Sequence, residues 1–573
     1  MNAINKISAD PYDVITEMLR GHGISMCAGV TGGGIVHFTK KLQPYRKLRN
    51  RDTLSFFNVG EYAAGFLPLG YYLASGTIAA ATATTGAATK LLGCGLTDAK
   101  LHNIPALYIV PLSPRSAAGF APLQDTTAHG MNTLAQLEAE LPGGVFVLDE
   151  FETMVPQLER AFVRLAQGRP AVLVLDPSAL ARIPAEASWT VGPASRSLPR
   201  PEIVISWPLD RLSGRKVVVL VGSGMPTTAT SKKLVTELAT TLGAAVVYSI
   251  NGANAVEREN PYLYGYLGFG GNDAARTVWT ALDEETVLIG LGADFDEYTT
   301  GLSPIFCGEA WLLSNDGNHY GTMEGSSRHL INGASFEANG PLEAMVDNLT
   351  RAILRDPPAT RRFPPASDDL NTRPIEAARP GFVDLATFYR RIDTLWQKNS
   401  IGFDDVCMSY KDRQYITQRP NPNCPFFSLY RGSAMGGAFG LGVGARLGAP
   451  DKTVFIFSGD GCFRFFAGNL AEAGSLRLNL FVLNNRVYGI VRNGLTKILT
   501  QDPVERYHDS LDGLNYEAIA TGFGWDYARV RPDLANLDDI MTRCYQPHRS
   551  SLLIELPLDP EQNLGPNPRL ENL

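Results

Sequence analysis

The sequence predicts an α/β protein built from three doubly wound parallel-sheet domains. Three observations point there. At 573 residues the chain is too long for one core, and roughly three domains are expected. Short apolar runs rich in β-branched and aromatic residues recur, each stopped by turn formers, as strands buried on both faces do. Two segments interrupt the pattern and read as linkers: Ala187 to Trp207, rich in Pro, Ser and Arg, and Pro357 to Pro380, rich in Pro and charge. The predicted domains are residues 1–186, 203–356 and 380–573.

In the first domain, Asp10 to Gly21 opens with a capping residue and reads as an amphipathic helix. Met26 to Val30 reads as a strand running into Thr31-Gly32-Gly33-Gly34, a turn that does not make a GxGxxG fingerprint. Phe56 to Val59 is a short strand, and Glu61 begins a helix whose small face is Ala63, Ala64 and Gly65. A carboxylate at that position is ordinarily a partner of the helix dipole. Ala79 to Lys90 and Asn103 to Val110 come next, and Gly168 to Asp176 supplies the last strand.

The middle domain starts with Val217 to Val221, a strand ending in Gly222-Ser223-Gly224, then a helix from Thr230 to Leu242. Ala244 to Tyr248 and Val287 to Gly290 are further strands. A Gly-ended strand before a helix either holds a nucleotide or is a packing turn.

The last domain carries the densest chemistry. Val454 to Phe457 and Leu480 to Leu483 read as two buried parallel strands, joined by a crossover with a short helix over Phe466 to Leu476. Gly459-Asp460-Gly461 ends the first strand and Asn484-Asn485 ends the second. Ligands of open α/β sheets bind at the carboxyl ends of strands. One carboxylate, one amide oxygen, a backbone carbonyl and phosphate oxygens make a hard-oxygen set suited to Mg²⁺.

GDG, some two dozen residues, then NN resembles the signature of thiamine-diphosphate (ThDP) enzymes, here a residue or two short of the usual crossover. The resemblance covers nearly the whole chain and implies a pyrimidine-binding, a middle and a diphosphate-binding domain. It implies ThDP and Mg²⁺ as cofactors. The metal would be held by Asp460, Asn485 and the Val487 carbonyl, with Gly459, Gly461, Cys462 and Tyr488 beside the cofactor. Arg431 to Gly440 resembles the G-S-x-M-G segment, which makes Ser433 and Met435 cofactor contacts, Met435 as the apolar wedge that bends ThDP. Taken alone, a Met is most often core filler. Glu61 precedes a small-residue helix ending in Gly70-Tyr71-Tyr72-Leu73-Ala74-Ser75-Gly76, as the family's cofactor-activating acid does. A buried carboxylic acid sharing a proton with N1′ of the aminopyrimidine favours the tautomer that activates the thiazolium.

Finer likeness points to the acetohydroxyacid synthase (acetolactate synthase) branch. Leu291 to Gly301 resembles its G-A-R-F-D-D-R-x-T-G stretch, and Gly268 to Ala275 its G-x-H-G stretch. That branch binds FAD in the middle domain. Here Asp294 and Tyr298 replace the two arginines, so FAD is not expected. Gln124 falls at a substrate-facing position and His129 reads as either a proton shuttle or a loop histidine. Gly86-Ala87-Ala88-Thr89-Lys90 departs from the family's loop, so the substrates stay open. Val491 stands where simple decarboxylases carry a Glu. The expected activity is therefore decarboxylation of a 2-oxo acid followed by carboligation to a second carbonyl compound. A non-ligating 2-oxo-acid decarboxylase and a silent ThDP-binding paralogue are the alternatives. Relatives place active sites at subunit interfaces, so a homodimer or homotetramer is expected.

A net charge of −7 argues against a nucleic-acid partner. The sequence shows no apolar run long enough to span a membrane and no secretory leader. Seven scattered cysteines without CxxC read as reduced thiols of a cytoplasmic protein. The remaining histidines, His22, His37, His102, His319, His329, His508 and His548, show no ligand spacing.

Overall fold

Every strand of the three large sheets runs parallel to its neighbours, as expected of strands written as continuous apolar runs. The computed structural model describes residues 5–8, 10–45, 53–183, 188–191, 205–315, 329–547 and 549–571. The first sheet has seven strands, in the order Gln43–Pro44, Ser55–Asn58, Met26–Gly29, Ala80–Thr82, Leu107–Pro111, Ala171–Leu175, Val145–Leu148. The middle sheet has six: Leu263–Tyr266, Ala245–Tyr248, Lys216–Val221, Thr286–Leu291, Ile305–Ser314, Ile331–Asn339. The last also has six: Phe426–Ser428, Ser400–Asp404, Thr453–Gly459, Asn479–Asn484, Leu552–Pro557, Asp526–Arg529.

Two expectations are corrected. The stretch Phe466 to Leu476 is no single helix: it folds as two 3₁₀ turns, Ala467–Asn469 and Gly474–Leu476, flanking the four-residue helix Leu470–Ala473. Gly468 and Gly474 weaken any continuous helix there. The segment read as the first linker contains a strand, Ser188–Val191, which pairs antiparallel with Asn5–Ser8. Of that linker, residues 187 and 192–204 lie outside the described residues, as do the basic residues Arg46 to Arg51, His319 and His548. Among the described residues no helix is long and apolar enough to cross a membrane. All seven cysteines are free thiols.

The first and last domains meet through two helices, Glu61–Ser75 and Gly437–Gly448. A Cβ on Gly70 would lie 1.9 Å from the Leu441 carbonyl oxygen, and one on Gly444 would lie 1.9 Å from that of Leu67. Only glycine permits backbones this close. Phe66, Leu67 and Tyr71 then share one core with Phe439, Leu441 and Val443. This contact fixes where the start of the Glu61 helix stands relative to the last sheet.

Candidate active site

The last sheet reverses its strand order between Ser400–Asp404 and Thr453–Gly459, and ligands bind outside the strand ends at such a switch point. A cavity of about 190 Å³ opens there. Ser433, Met435, Gly459, Asp460, Gly461, Cys462, Asn485, Val487 and Tyr488 all line it. These are the nine residues of the last domain that the sequence pointed to as cofactor contacts.

Strands Thr453–Gly459 and Asn479–Asn484 pair with Gly459 opposite Leu483, which sets Asp460 beside the Asn484-Asn485 turn. Asp460 is buried at the first position of the short helix Asp460–Phe463. One carboxylate oxygen accepts the Gly461 N–H at 3.0 Å and the other the Arg486 N–H at 2.7 Å. Burial pushes its carboxyl up to about 6, against the pull of those two N–H groups and Arg464. Arg486 adopts a left-handed conformation, φ +58°, to carry the chain round this corner. Asn485 Oδ1 accepts the Val487 N–H at 3.1 Å. Val487 bridges Ser510 through bonds from Tyr488 N–H to Asp509 O and from Leu511 N–H to Arg486 O, a bridge that does not use the Val487 carbonyl. A Cβ on Gly461 would come within 2.6 Å of the Tyr488 ring and 3.4 Å of Met435 Cε, so glycine is needed where these two side chains converge.

Ser433 and Gly436 both take positive φ, +51° and +90°, so Met435 sits on a tight turn. Asp405 holds that turn, accepting the Gly436 N–H at 2.8 Å and the Ser458 hydroxyl at 2.7 Å. The Cys462 thiol donates to the Val406 carbonyl at 3.2 Å, and burial raises it well above the ordinary thiol range. Cys462 is therefore a wall, not a nucleophile.

Three predicted residues lie elsewhere in the chain. Glu61 is the first residue of its helix and does not line the cavity, although its neighbours reach the last domain. Gly60 N–H donates to Asn469 Oδ1 at 2.9 Å, and the Tyr62 hydroxyl donates to the Met435 carbonyl. Gln124, at φ +60°, packs where a Cβ on Gly86 would clash with it, and His129 is exposed on the same loop. Neither lines the cavity.

Sequence reasoning missed several wall residues. Val406, Cys407 and Met408 follow the strand Ser400–Asp404, and the pair Asp404-Asp405 at its end was the available signal. Tyr298 arrives from the middle domain, and Gln562 and Arg569 from the C-terminal tail. The tail packs against the rest of its own chain. The fully buried Lys411 ammonium pins it, donating to Asn563 Oδ1 and to the Gly565 carbonyl, both at 2.8 Å. Gly270 N–H adds a bond to the Pro566 carbonyl at 2.8 Å.

The donor set suits a divalent cation carrying a diphosphate. It offers one buried carboxylate held by main-chain N–H groups, one amide oxygen and one carbonyl left out of the local ladder. No cluster of three His, Cys, Asp or Glu occurs among the described residues, so a soft-metal centre has no ligands.

Comparison with known proteins agrees with this geometry. The family model "Thiamine pyrophosphate enzyme, N-terminal TPP binding domain" matches residues 11–138. The central-domain model matches 212–319, and the C-terminal TPP binding domain model matches 407–556. The chain is 26% identical over 510 residues to an acetolactate synthase of Mycobacterium avium, covering 84% of this chain and 76% of that one. It is 24% identical over 581 residues to the acetolactate synthase isozyme 1 large subunit of Escherichia coli K12, covering 97% and 95%. Among solved structures, a Rhodococcus jostii RHA1 thiamine diphosphate-dependent 4-hydroxybenzoylformate decarboxylase superposes with a TM-score of 0.75. It shares 16% identity and covers 97% of this chain and 100% of that one, a likeness of fold.

Proposed function

We propose, from the premise that the chain belongs to the thiamine-diphosphate-dependent enzymes and to their acetolactate synthase-like branch, that it decarboxylates a 2-oxo acid and joins the remaining acyl unit to a second carbonyl compound. One observation carries the choice of ligation over aldehyde release: the cavity offers no uncommitted carboxylic acid and no imidazole among its described lining residues. Its three acids are engaged. Asp460 accepts two main-chain N–H groups, Asp412 pairs with Lys411 at 2.6 Å, and Asp559 pairs with Arg379. Along the wall helix Gly489–Ile498 the lining residues are Gly489, Ile490, Val491 and Asn493. Without an acid poised to protonate the nascent product, a second carbonyl electrophile has time to react.

Asp460, Asn485 and the Val487 carbonyl would hold Mg²⁺ against the cofactor's diphosphate. Bound thiamine diphosphate supplies the electron sink for loss of CO₂. Met435 and Tyr488 wall the cavity around Gly461. Met408, Ile490 and Val491 keep water from the reacting carbonyl. Glu61, from a second copy of the chain in a homodimer or homotetramer, would hold a proton against N1′ of the aminopyrimidine. The substrates are a small 2-oxo acid and a carbonyl acceptor.

Product analysis decides. The protein with ThDP and Mg²⁺ is given a single 2-oxo acid, with and without an acceptor aldehyde, and products are read by NMR. An acyloin or 2-hydroxy-oxo acid supports the proposal. Free aldehyde alone assigns a non-ligating decarboxylase, and ThDP binding without turnover of any oxo acid assigns a silent relative.

A further inference from the structure

The middle sheet has the spatial strand order 3-2-1-4-5-6, and its order reverses between Lys216–Val221 and Thr286–Leu291. A sheet so ordered binds dinucleotides in the crevice at that point, with phosphate against the Gly-rich turn and the following helix. Both parts are present. A crevice of about 510 Å³ opens at the switch point, lined by Ser223, Gly224, Thr228, Asn251, Asn315 and Asp294 among others. Gly222 is required because a Cβ there would lie 2.1 Å from the Gly292 carbonyl oxygen of the opposing turn.

The donors of the Gly-rich turn are already used. The Asp294 carboxylate accepts the Ser223 N–H at 2.7 Å, the Ser223 hydroxyl at 2.7 Å and the Ser249 hydroxyl at 2.5 Å. It also pairs with Arg431, which reaches in from the last domain. Asp294 is 2% exposed. Arg431 in turn binds Asp296 at 2.9 Å and donates to the Leu101 carbonyl at 2.9 Å. Its own N–H donates to His102 Nε2 at 3.2 Å, and Gly432 N–H to Asp98 at 2.8 Å. Arg431 and Gly432 are thus bonded to the first and middle domains just before Ser433 and Met435. Arg169 also lines the crevice, and with Asp294 and Asp296 set against Arg431 and Arg169 the junction carries no positive excess.

We propose that the middle-domain crevice is an anion site filled from within: Asp294 stands where a bound phosphate would stand, which closes the crevice to diphosphate dinucleotides and ties Arg431, and with it the Met435 segment, to the middle domain. A fold built to bind a dinucleotide uses the same turn as an interdomain lock. A second anion placed beside Asp294 meets a buried like charge, and its donors are taken.

The test is direct binding of FAD and ADP to the full chain, by fluorescence and calorimetry, with ThDP and Mg²⁺ present throughout. The wild type is expected to show no binding of either up to about 1 mM. Asp294→Ser removes the carboxylate, leaves Asp296 to hold Arg431, and frees the Ser223 N–H and part of the guanidinium. It is expected to bind ADP at least about 30-fold more tightly than wild type. Should that variant not fold, Asp294→Asn keeps the acceptor and removes the charge, and a smaller gain of the same sign is expected. Wild-type protein that binds either nucleotide below about 100 μM, or a folded variant that gains nothing, overturns the proposal. The outcome is independent of the reaction assigned to the other cavity.

Discussion

The Tyr62 hydroxyl donates a hydrogen bond to the main-chain carbonyl of Met435. The residue after the candidate acid Glu61 is thereby attached to the segment proposed to underlie the cofactor. If the Met435 main chain contacts the aminopyrimidine, Tyr62 competes with the ligand for that carbonyl. Tyr62→Phe is then expected to destabilise the free protein by about 1 kcal/mol and to tighten ThDP binding by up to about tenfold. Thermal melting and calorimetry on the same samples check both signs. Weaker ThDP binding would show that the hydroxyl supports the bound state instead.

Glu61→Gln separates binding from chemistry. The amide keeps the shape of the side chain and cannot give up or hold the proton. Turnover is expected to fall by at least about 10²–10³-fold, while Mg²⁺-dependent ThDP affinity changes by less than about tenfold. Unchanged turnover would remove Glu61 from the mechanism.

Arg569 is the one cation among the described lining residues of the cavity. Its guanidinium lies 5.7 Å from the centre of the Tyr298 ring and 2.8 Å from Glu297. The proposed 2-oxo acid donor would bring a carboxylate to this rim. Arg569→Gln is expected to raise KM for the oxo acid by about 10-fold or more, with kcat within about threefold and ThDP affinity unchanged. Steady-state kinetics with the acid and an uncharged aldehyde acceptor isolate the effect, since only the acid's KM moves.

Asp98 predicts a pH dependence of stability. One oxygen accepts the Gly432 N–H, and the other has no hydrogen-bond partner among the described residues. Burial pushes its carboxyl up to about 7, against the Gly432 N–H and Arg431. The folded protein therefore keeps a proton that the unfolded chain releases above about pH 4. This contribution to stability falls as pH rises from about 4 to about 7 and is level above. Asp98→Asn removes the slope, so its melting temperature should exceed that of wild type increasingly from pH 5 to pH 8. The gain at pH 8 should be on the order of 2 kcal/mol. A constant offset across that range would contradict the assignment.

How far the sequence reached follows from the range of each interaction. Val454 to Phe457 and Leu480 to Leu483 were legible because strands buried on both faces are written as unbroken apolar runs; the observed strands extend them by three and two residues. The start of the helix at Glu61 was legible from its small-residue face. Asp294 read only as a lost cation, because its partners Ser223 and Arg431 lie 71 and 137 residues away and no local pattern encodes them. Tyr298 and Arg569 were invisible as cavity residues for the same reason. His102 showed no ligand spacing, yet it is buried against Arg431 and burial lowers it well below the usual imidazole range, so it accepts a hydrogen bond as a neutral ring. Phe466 to Leu476 misled because apolar content suggests a helix, while its glycines favour short turns.

The central claim is that Asp460, Asn485 and the Val487 carbonyl clamp thiamine diphosphate through a divalent ion. The most direct measurement is calorimetric titration of the purified chain with thiamine diphosphate, in Mg²⁺ and again in EDTA, for wild type and Asp460→Ala. Wild type should bind in Mg²⁺ with an affinity at least about 100-fold above that in EDTA, and the variant should lose that difference. Wild-type binding that ignores the metal, or a variant that binds as tightly as wild type in Mg²⁺, contradicts the account.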